Sequence, residues 1–424
     1  MDYPAAIQFL FGLQKFGANL GLENPRRLAA LAGDPQAQLR FIHVAGTNGK
    51  GSTCAMLESI YRAAGLRTGL FTSPHLVSFR ERIQINGHPI GAADVARLIS
   101  EMQPLLAQFP PGAAPTFFEV VTVLALRHFD EQCCDLVILE TGLGGRLDAT
   151  NIVTPIASVI TNVALEHQEW LGDTLEKIAA EKAGIIKSGV PVITTAAELE
   201  VLRVIEETAA RLGSPLTKVN PSSAPIEVQM FFALPLLGEH QQINATLAAA
   251  TIRALQEKIP VSDDVIRRGL ETVSWPGRLQ VVKLQDGRTL LLDGAHNLAG
   301  VEALRAALAR YFQNERPTFV IGMLADKDWS AMARLLAPLA ARIITVPVSS
   351  ARTVATAESA AVCRESNPVV ETADSLNEVL QQNQNDRFIV VTGSLYLIGE
   401  ALELLGLLPS EGGERGLNEW KTNT

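Results

Sequence analysis

Along the chain, short solid apolar runs alternate with longer stretches in which apolar residues return every three or four positions. The first run, Phe41–Val44, has the length of a buried strand; after a glycine-rich break, Leu57, Ile60, Tyr61 and Ala64 recur at helical spacing. Gly65 then stands where a C-terminal cap belongs. The same alternation predicts strands over 68–72, 134–139 and 157–161, a helix from about Asp173 to Lys187, then a strand and a helix near Leu199–Leu212. Asn86-Gly87 reads as a hairpin turn between two short alternating runs. Upstream, residues 4–31 read as partly helical, with breaks at Gly17, Gly21 and Pro25. About forty residues precede the glycine break, fewer than a separate domain of roughly 50 needs. Further helices follow within GEHQQINATLAAATIRAL and from Ser262, and the pattern breaks at Ser274-Trp275-Pro276-Gly277. A domain boundary there divides the chain into 1–275 and 276–424. Beyond it, strands over 289–292, 318–323 and 388–391 and a helix from near Leu298 repeat the plan. Strand and helix alternating on both sides predicts an α/β protein with parallel sheets.

The glycine break carries the densest chemical signal. Gly46, Gly49 and Gly51 surround Lys50 between strand and helix, the plan of a phosphate cradle. Loop N–H groups and a helix N-terminus face the anion, glycines let the backbone approach, and the lysine adds a point charge. The spacing departs from the common P-loop, because Val44 stands where its first glycine belongs and Gly51 where its Ser or Thr belongs. Thr47, Asn48, Gly49, Lys50, Gly51 and Ser52 are the candidate nucleotide contacts. A glycine-rich turn in an ordinary α/β unit is the alternative.

Ligands of open parallel sheets collect at the carboxyl ends of strands. Ser73 follows one strand, and Glu140 ends another, CDLVIL, where an acid beside a phosphate loop commonly holds Mg²⁺. Arg80 and Arg82 suit either an anionic substrate or a solvated loop. The run 142–145 lacks the third glycine of a dinucleotide fingerprint, which argues against a dehydrogenase. His167 follows the strand over 157–161, at the edge where Ser73 and Glu140 also end, as a ligand or a structural imidazole. Asp173 and Glu176 resemble a capping box, and Lys182 then falls on the apolar face of Leu175, Ile178 and Ile185. Such a lysine snorkels, finds an acid, or is neutral. The neutral amine is able to take up CO₂ as a carbamate, turning a cation into an oxygen ligand, although snorkelling is the default on an isolated helix. Asn244 meets a nucleobase edge or caps local backbone. In the second half, Asp293-Gly294-Ala295-His296-Asn297, Ala325-Asp326-Lys327-Asp328 and Thr392-Gly393-Ser394 each stand at a strand's carboxyl end.

Charge and composition narrow the classes. A formal charge of −9 argues against a nucleic-acid binder. No apolar run is long enough to span a bilayer, and the N-terminus lacks the basic region of a signal peptide, so a cytoplasmic protein is expected. Cys54, Cys133, Cys134 and Cys363 show no metal-ligand spacing, consistent with a reducing compartment.

GTNGKGST, TSPHL with FRERI, ETGLGGRLDATN, HQEWLGDTLEKIAAEKAGIIK, GEHQQINA, PGRLQ, DGAHN, ADKD and TGSLYLIGE follow one another in an order that resembles the folylpolyglutamate synthase / dihydrofolate synthase family of the Mur ligase superfamily. The resemblance spans nearly the whole chain; residues 215–236 and the tail after Gly406 carry none of it. It implies an N-terminal P-loop-type ATPase domain and a smaller C-terminal Rossmann-like domain with ATP between them. Lys50 would hold phosphates; Ser73, Glu140 and His167 one Mg²⁺; carbamylated Lys182 a second; a monovalent cation is a further candidate. Asn244 would meet adenine, Arg278 and Asp293 would reach ATP, and His296 and Ser394 would lie near the incoming glutamate. Gly21, Phe79, Arg80, Thr116, Phe118 and Asp148 would line the folate. Lys50, Lys182, His167 and His296 are then the catalytic candidates of an ATP-dependent ligase making an amide through an acyl phosphate, acting as a monomer on small molecules. A muramyl-peptide ligase is disfavoured because Lys50 comes too early for a preceding sugar-nucleotide domain. A non-catalytic nucleotide switch would leave the second set of strand-end clusters without a role.

Overall fold

The computed structural model describes residues 1–14, 21–110, 112–220, 233–382, 386–409 and 412–419; the expected break at Gly17 and much of the Pro/Ser-rich stretch, 221–232, lie outside these. An eight-stranded sheet has the order β4-β3-β2-β5-β1-β6-β7-β8. Its strands are β1 (Phe41–Ala45), β2 (Thr68–Phe71), β3 (Ile83–Ile85), β4 (His88–Pro89), β5 (Leu136–Glu140), β6 (Ala157–Ile160), β7 (Val192–Thr194) and β8 (Leu216–Lys218). All pairings are parallel except the β2–β3 and β3–β4 edge. Every residue of β1 and β5 is buried, which is why these strands read as solid apolar runs. Helices 50–63, 239–254 and 263–271 share the apolar cluster on one face, while helices 3–13, 92–106 and 117–131 build the cluster on the other.

The second sheet has the order β13-β12-β11-β14-β10-β9, from β9 (Gln280–Lys283), β10 (Thr289–Asp293), β11 (Thr318–Ile321), β12 (Arg342–Thr345), β13 (Val370–Thr372) and β14 (Phe388–Thr392). Only β9 runs antiparallel, and each face has its own core. Two α/β units bear out the expected fold class, and both sheets also carry antiparallel edge strands that the alternation did not distinguish.

Local chemistry explains the elements and corrects some expectations. Asn86 and Gly87 both take positive φ (51° and 76°), as a two-residue hairpin turn requires. Pro25 does not break a helix; it sits in the first turn of Glu23–Leu31, where its missing N–H has no intrahelical partner to lose. The helix bearing Lys182 spans Leu175–Ala183 and is capped by Thr174, whose hydroxyl accepts from Lys177 N–H, whereas Asp173 pairs with Lys177 Nζ at 2.7 Å. It ends four residues before Lys187 because the 142–146 loop docks on its last turn: Arg146 N–H donates to Glu181 O at 2.7 Å. A Cβ on Gly145 would lie 2.8 Å from that same carbonyl.

Candidate active site

In the parallel core of the first sheet, the ends of β1, β2, β5 and β6 share one edge. The chain leaves β1 for β2 on one side and later crosses from β5 to β6 on the other, which opens a crevice after β1. The glycine loop fills it. A Cβ on Gly46 (φ +153°) would lie 1.7 Å from Thr161 Oγ1, one on Gly49 (φ +83°) 2.5 Å from Asn244 Oδ1, and one on Gly51 2.8 Å from Trp275. The end of β6 braces the loop: Thr47 N–H donates to Asn162 O and Asn48 N–H to Asn162 Oδ1, both at 2.8 Å. Thr161 Oγ1 donates to Asn48 O at 2.7 Å. The following helix starts at Lys50 without a side-chain cap, leaving first-turn N–H groups for an anion, and Ser52 is buried in that turn.

Two lysines converge on one carbonyl. Lys50 Nζ donates to Gly46 O at 3.1 Å and Thr47 O at 3.0 Å, and Lys182 Nζ donates to Gly46 O at 2.7 Å. Lys182 is 4% exposed. Burial, and then the nearby charge of Lys50, push its ammonium down to about 7, with Glu166 and Asp148 pulling weakly the other way. Gly46, Lys50, Gly142, Glu166, His167 and Lys182 line a cavity of about 30 Å³.

The acids and imidazoles are equally constrained. Glu140 is buried and accepts from Ser73 N–H at 3.1 Å; burial pushes its carboxyl up to about 7 against the pull of Lys50. His167, at positive φ (53°), is held down to about 4, mainly by burial. Asp148 accepts from Leu143 N–H at 2.8 Å, Thr150 N–H at 3.0 Å and the Thr150 hydroxyl, so it braces the 142–145 loop. Asn244 donates to Gln241 Oε1 at 3.0 Å while lying against Gly49. Among the described residues, no group of three or more His, Cys, Asp or Glu is gathered as a metal site.

The carboxyl edge of the second sheet faces this loop. Asn297 Nδ2 donates to Asn48 Oδ1 at 3.0 Å, and Lys327 Nζ pairs with Glu166 Oε1 at 3.0 Å. His296 Nε2 stands 3.9 Å from the same oxygen, and its Nδ1 meets Gly294 O at 2.8 Å. A carbonyl only accepts, so Nδ1 carries the proton and Nε2 the lone pair; burial favours this neutral form. Asp293 accepts from Leu279 N–H at 2.9 Å and Ala295 N–H at 3.1 Å, and burial pushes it up to about 6 despite Arg278. Two of the three second-domain clusters thus touch the first domain. In the third, Ser394 is buried and caps the helix Leu395–Leu404 by accepting from Tyr396 N–H.

The remaining expected contacts lie on other segments of the first domain. Phe118 packs its ring on Gly142, where a Cβ would lie 2.5 Å away, and Thr116 caps the same helix through a capping box with Glu119. Gly21 is half-buried at the approach to the helix Glu23–Leu31. Arg80 Nε donates to Ile90 O at 2.5 Å. Phe79 is fully buried, with its ring edge-on to His75 and Phe117. Arg82 matches neither of its open readings, substrate contact or solvated loop charge: it is 3% exposed, and its guanidinium is bound to His75 Nδ1 at 2.8 Å and Asn418 Oδ1 at 2.6 Å. Glu166, Asn162 and Trp275 are functional neighbours that the sequence pattern did not single out, and Lys327 stood only within a strand-end cluster. Position after a strand marks Asn162, Glu166 and Lys327 but does not reveal that Glu166 and Lys327 pair across the domains.

Similarity to known proteins agrees with this geometry. Residues 44–211 match the Mur ligase middle domain, and residues 277–395 match the Mur ligase glutamate ligase domain. The chain is 36% identical to the dihydrofolate synthase/folylpolyglutamate synthase of Bacillus subtilis (strain 168), over 94% of this chain and 98% of that protein. Its fold superposes on Mycobacterium tuberculosis folylpolyglutamate synthase, solved with ADP and AMPPCP, with TM-score 0.86 and 31% identity over 96% and 100% of the two chains. It superposes on E. coli FolC, solved with DHPP and ADP, with TM-score 0.84 and 30% identity over 96% and 98%. The chain belongs to the dihydrofolate synthase/folylpolyglutamate synthase family of Mur ligases, ATP-dependent enzymes that join glutamate to folates.

Proposed function

We propose that this chain adds L-glutamate both to dihydropteroate, forming dihydrofolate, and to the γ-carboxylate of reduced folates. The observation that carries the reading is the facing of two strand-end edges across the glycine loop, closed by the Lys327–Glu166 and Asn297–Asn48 contacts. A nucleotide bound at Lys50 would meet its acceptor from the first domain and its amine from the second. Lys50 turns from its two carbonyls to the β- and γ-phosphates, with the amides of Thr47, Asn48, Gly49, Gly51 and Ser52 around them. Asn244, beside Gly49, takes the adenine side; Arg278 and Asp293 reach ATP from the segment joining the sheets.

Ser73, Glu140 and His167 suit Mg²⁺ in their donor chemistry. Glu140 is a carboxylate whose charge burial disfavours until a cation arrives, and His167 is kept neutral and so has a lone pair. Bound there, the ion neutralises phosphate charge. Lys182, lowered to about 7 beside a small cavity, has a large share of its amine uncharged at neutral pH, the form that adds CO₂ with loss of a proton. Its carbamate oxygens would then serve as ligands for a second Mg²⁺, with a monovalent cation as a further candidate.

The acceptor carboxylate attacks the γ-phosphorus and ADP leaves. The glutamate nitrogen then attacks the acyl carbon, the C–O bond breaks, and phosphate departs. His296 Nε2 accepts the amine proton, with Ser394 on the same side; Gly21, Phe79, Arg80, Thr116, Phe118 and Asp148 hold the acceptor. Domains of 1–275 and 276–424, a monomeric state and a cytoplasmic location complete the proposal.

The test is ATP-dependent phosphate release with L-glutamate and either dihydropteroate or tetrahydrofolate, with products weighed. A one-glutamate gain with both acceptors is expected. Gain with tetrahydrofolate alone would reduce the reading to tail extension, and no glutamate-dependent release would refute it.

A further inference from the structure

The stretch 412–419 follows the second sheet in sequence but packs into the first domain. Glu414 is 3% exposed, and its Oε2 accepts from the Tyr3 hydroxyl and the Ser78 hydroxyl, each at 3.0 Å, and from Phe79 N–H at 2.5 Å. Its carbonyl meets His75 Nε2 at 3.0 Å. Asn418 accepts from Arg82 at 2.6 Å and donates to His75 O at 2.9 Å. Gln14 Nε2 donates to Gly416 O at 2.9 Å, and Leu417 sits in the core shared by helices 3–13, 92–106 and 117–131. The same stretch grips the second domain: Arg415 pairs with Glu403, and Glu419 with Arg352 at 3.0 Å. Arg352 in turn pairs with Asp326 at 3.0 Å, next to Lys327.

The segment it pins is wedged between the domains. Val77 belongs to a second-domain core and Phe79 to a first-domain core, while a Cβ on Gly399 would lie 2.0 Å from Leu76 O. Glu414 Oε1 is buried without a hydrogen-bond partner. A half-satisfied buried carboxylate is a poor stabiliser, and orientation is the better account of its presence.

We propose that residues 412–419 are a positioning strap, in which Glu414 and Asn418 fix the segment 75–82 against the acceptor while Arg352 holds Asp326 and so the Lys327 loop in register. The inference rests on the proposed placement of the acceptor beside Phe79 and Arg80. Glu414 is a positioning residue, acting through Ser78 and Phe79. Replacing its carboxylate by an amide removes the negative charge that the three donors meet at Oε2, leaving only neutral hydrogen bonds in their place.

The experiment compares full-length wild type with Glu414→Gln, Glu414→Asp and Asn418→Ala. It measures thermal midpoint, KM for ATP and for tetrahydrofolate, and hydrogen exchange of the 73–82 amides. Folded Glu414→Gln and Asn418→Ala should raise the tetrahydrofolate KM about tenfold, the loss expected for a hydrogen bond to a charged group. The ATP KM should stay within about twofold of wild type, the 73–82 amides should exchange faster, and Glu414→Asp should recover part of the loss. An unchanged tetrahydrofolate KM, or equal rises for ATP and tetrahydrofolate, would overturn the strap. Should Glu414→Gln fail to fold, Asn418→Ala decides on the same criteria. If wild type itself transferred no glutamate, the proposed function would fall, and the exchange of 73–82 would still decide whether the tail fixes that segment.

Discussion

Lys50 and Lys182 reach the same carbonyl and differ in what decides their chemistry. Lys50 stands at the head of a helix, partly exposed, with Thr47 O as a second acceptor. Lys182 stands in the last turn of its helix, sealed among Ile178, Ala179 and Ala183. A helix C-terminus favours a cation by roughly 0.3–1 kcal/mol. Burial and the charge of Lys50 oppose it, and a shift from 10.5 to about 7 corresponds to on the order of 5 kcal/mol. Desolvation wins. One lysine supplies charge to the loop, and the other becomes an amine able to lose its proton at neutral pH.

The largest effect should come from Lys50→Met, with kcat/KM falling about 10²–10³-fold, as when a group stabilising transition-state charge is lost. The same change should move Lys182 back toward its ordinary value, because Lys50 is one of the causes holding it down. A Lys182 titration unaffected by Lys50→Met would break the link between the two.

Lys182→Ala should lose about 10²-fold in activity, within the range for disrupted metal support. Added formate or acetate should restore part of it, and Lys182→Arg should show no such rescue. Full activity in the alanine variant would remove the distinction between the lysines.

Stability should change in the opposite sense. Lys182 has a folded value below its unfolded one, so between about 7 and 10.5 the unfolded chain binds more protons and stability rises with pH. Below 7 the full penalty of a buried ammonium is present. In CO₂-free buffer, Lys182→Met should therefore be more stable than wild type at pH 6, by up to a few kcal/mol. The gap should close toward pH 10; one that widened with pH would contradict the assignment.

Smallest is Glu166→Gln. Glu166 pulls Lys182 upward, so its loss should lower Lys182 slightly further, and it should raise the glutamate KM about tenfold by removing the carboxylate charge that Lys327 pairs with. Glutamate titrations at fixed ATP measure this.

Both lysines were legible in the sequence, Lys50 from its glycines and Lys182 from helical periodicity. Their convergence on Gly46 was not, because it joins residues 136 apart in the chain. The parallel strands were plain because burial on both faces leaves solid apolar runs. The Thr174 cap was misread since Asp173 and Thr174 are both good caps, and only the path of the chain selects one. Glu166 carried no signal of its own in the sequence because its partners Lys327 and His296 lie in the other domain. The strap left no pattern at all: Glu414 and Asn418 matter through Tyr3, His75 and Arg82, more than 300 residues away.

The most direct test of the difference between the lysines is ¹³C NMR of the enzyme equilibrated with ¹³C-bicarbonate across pH 6–9. The account predicts one carbamate carbon in wild type, growing through pH 7, absent in Lys182→Met, and displaced to higher pH in Lys50→Met. No carbamate in wild type, or the same signal persisting in Lys182→Met, would contradict it.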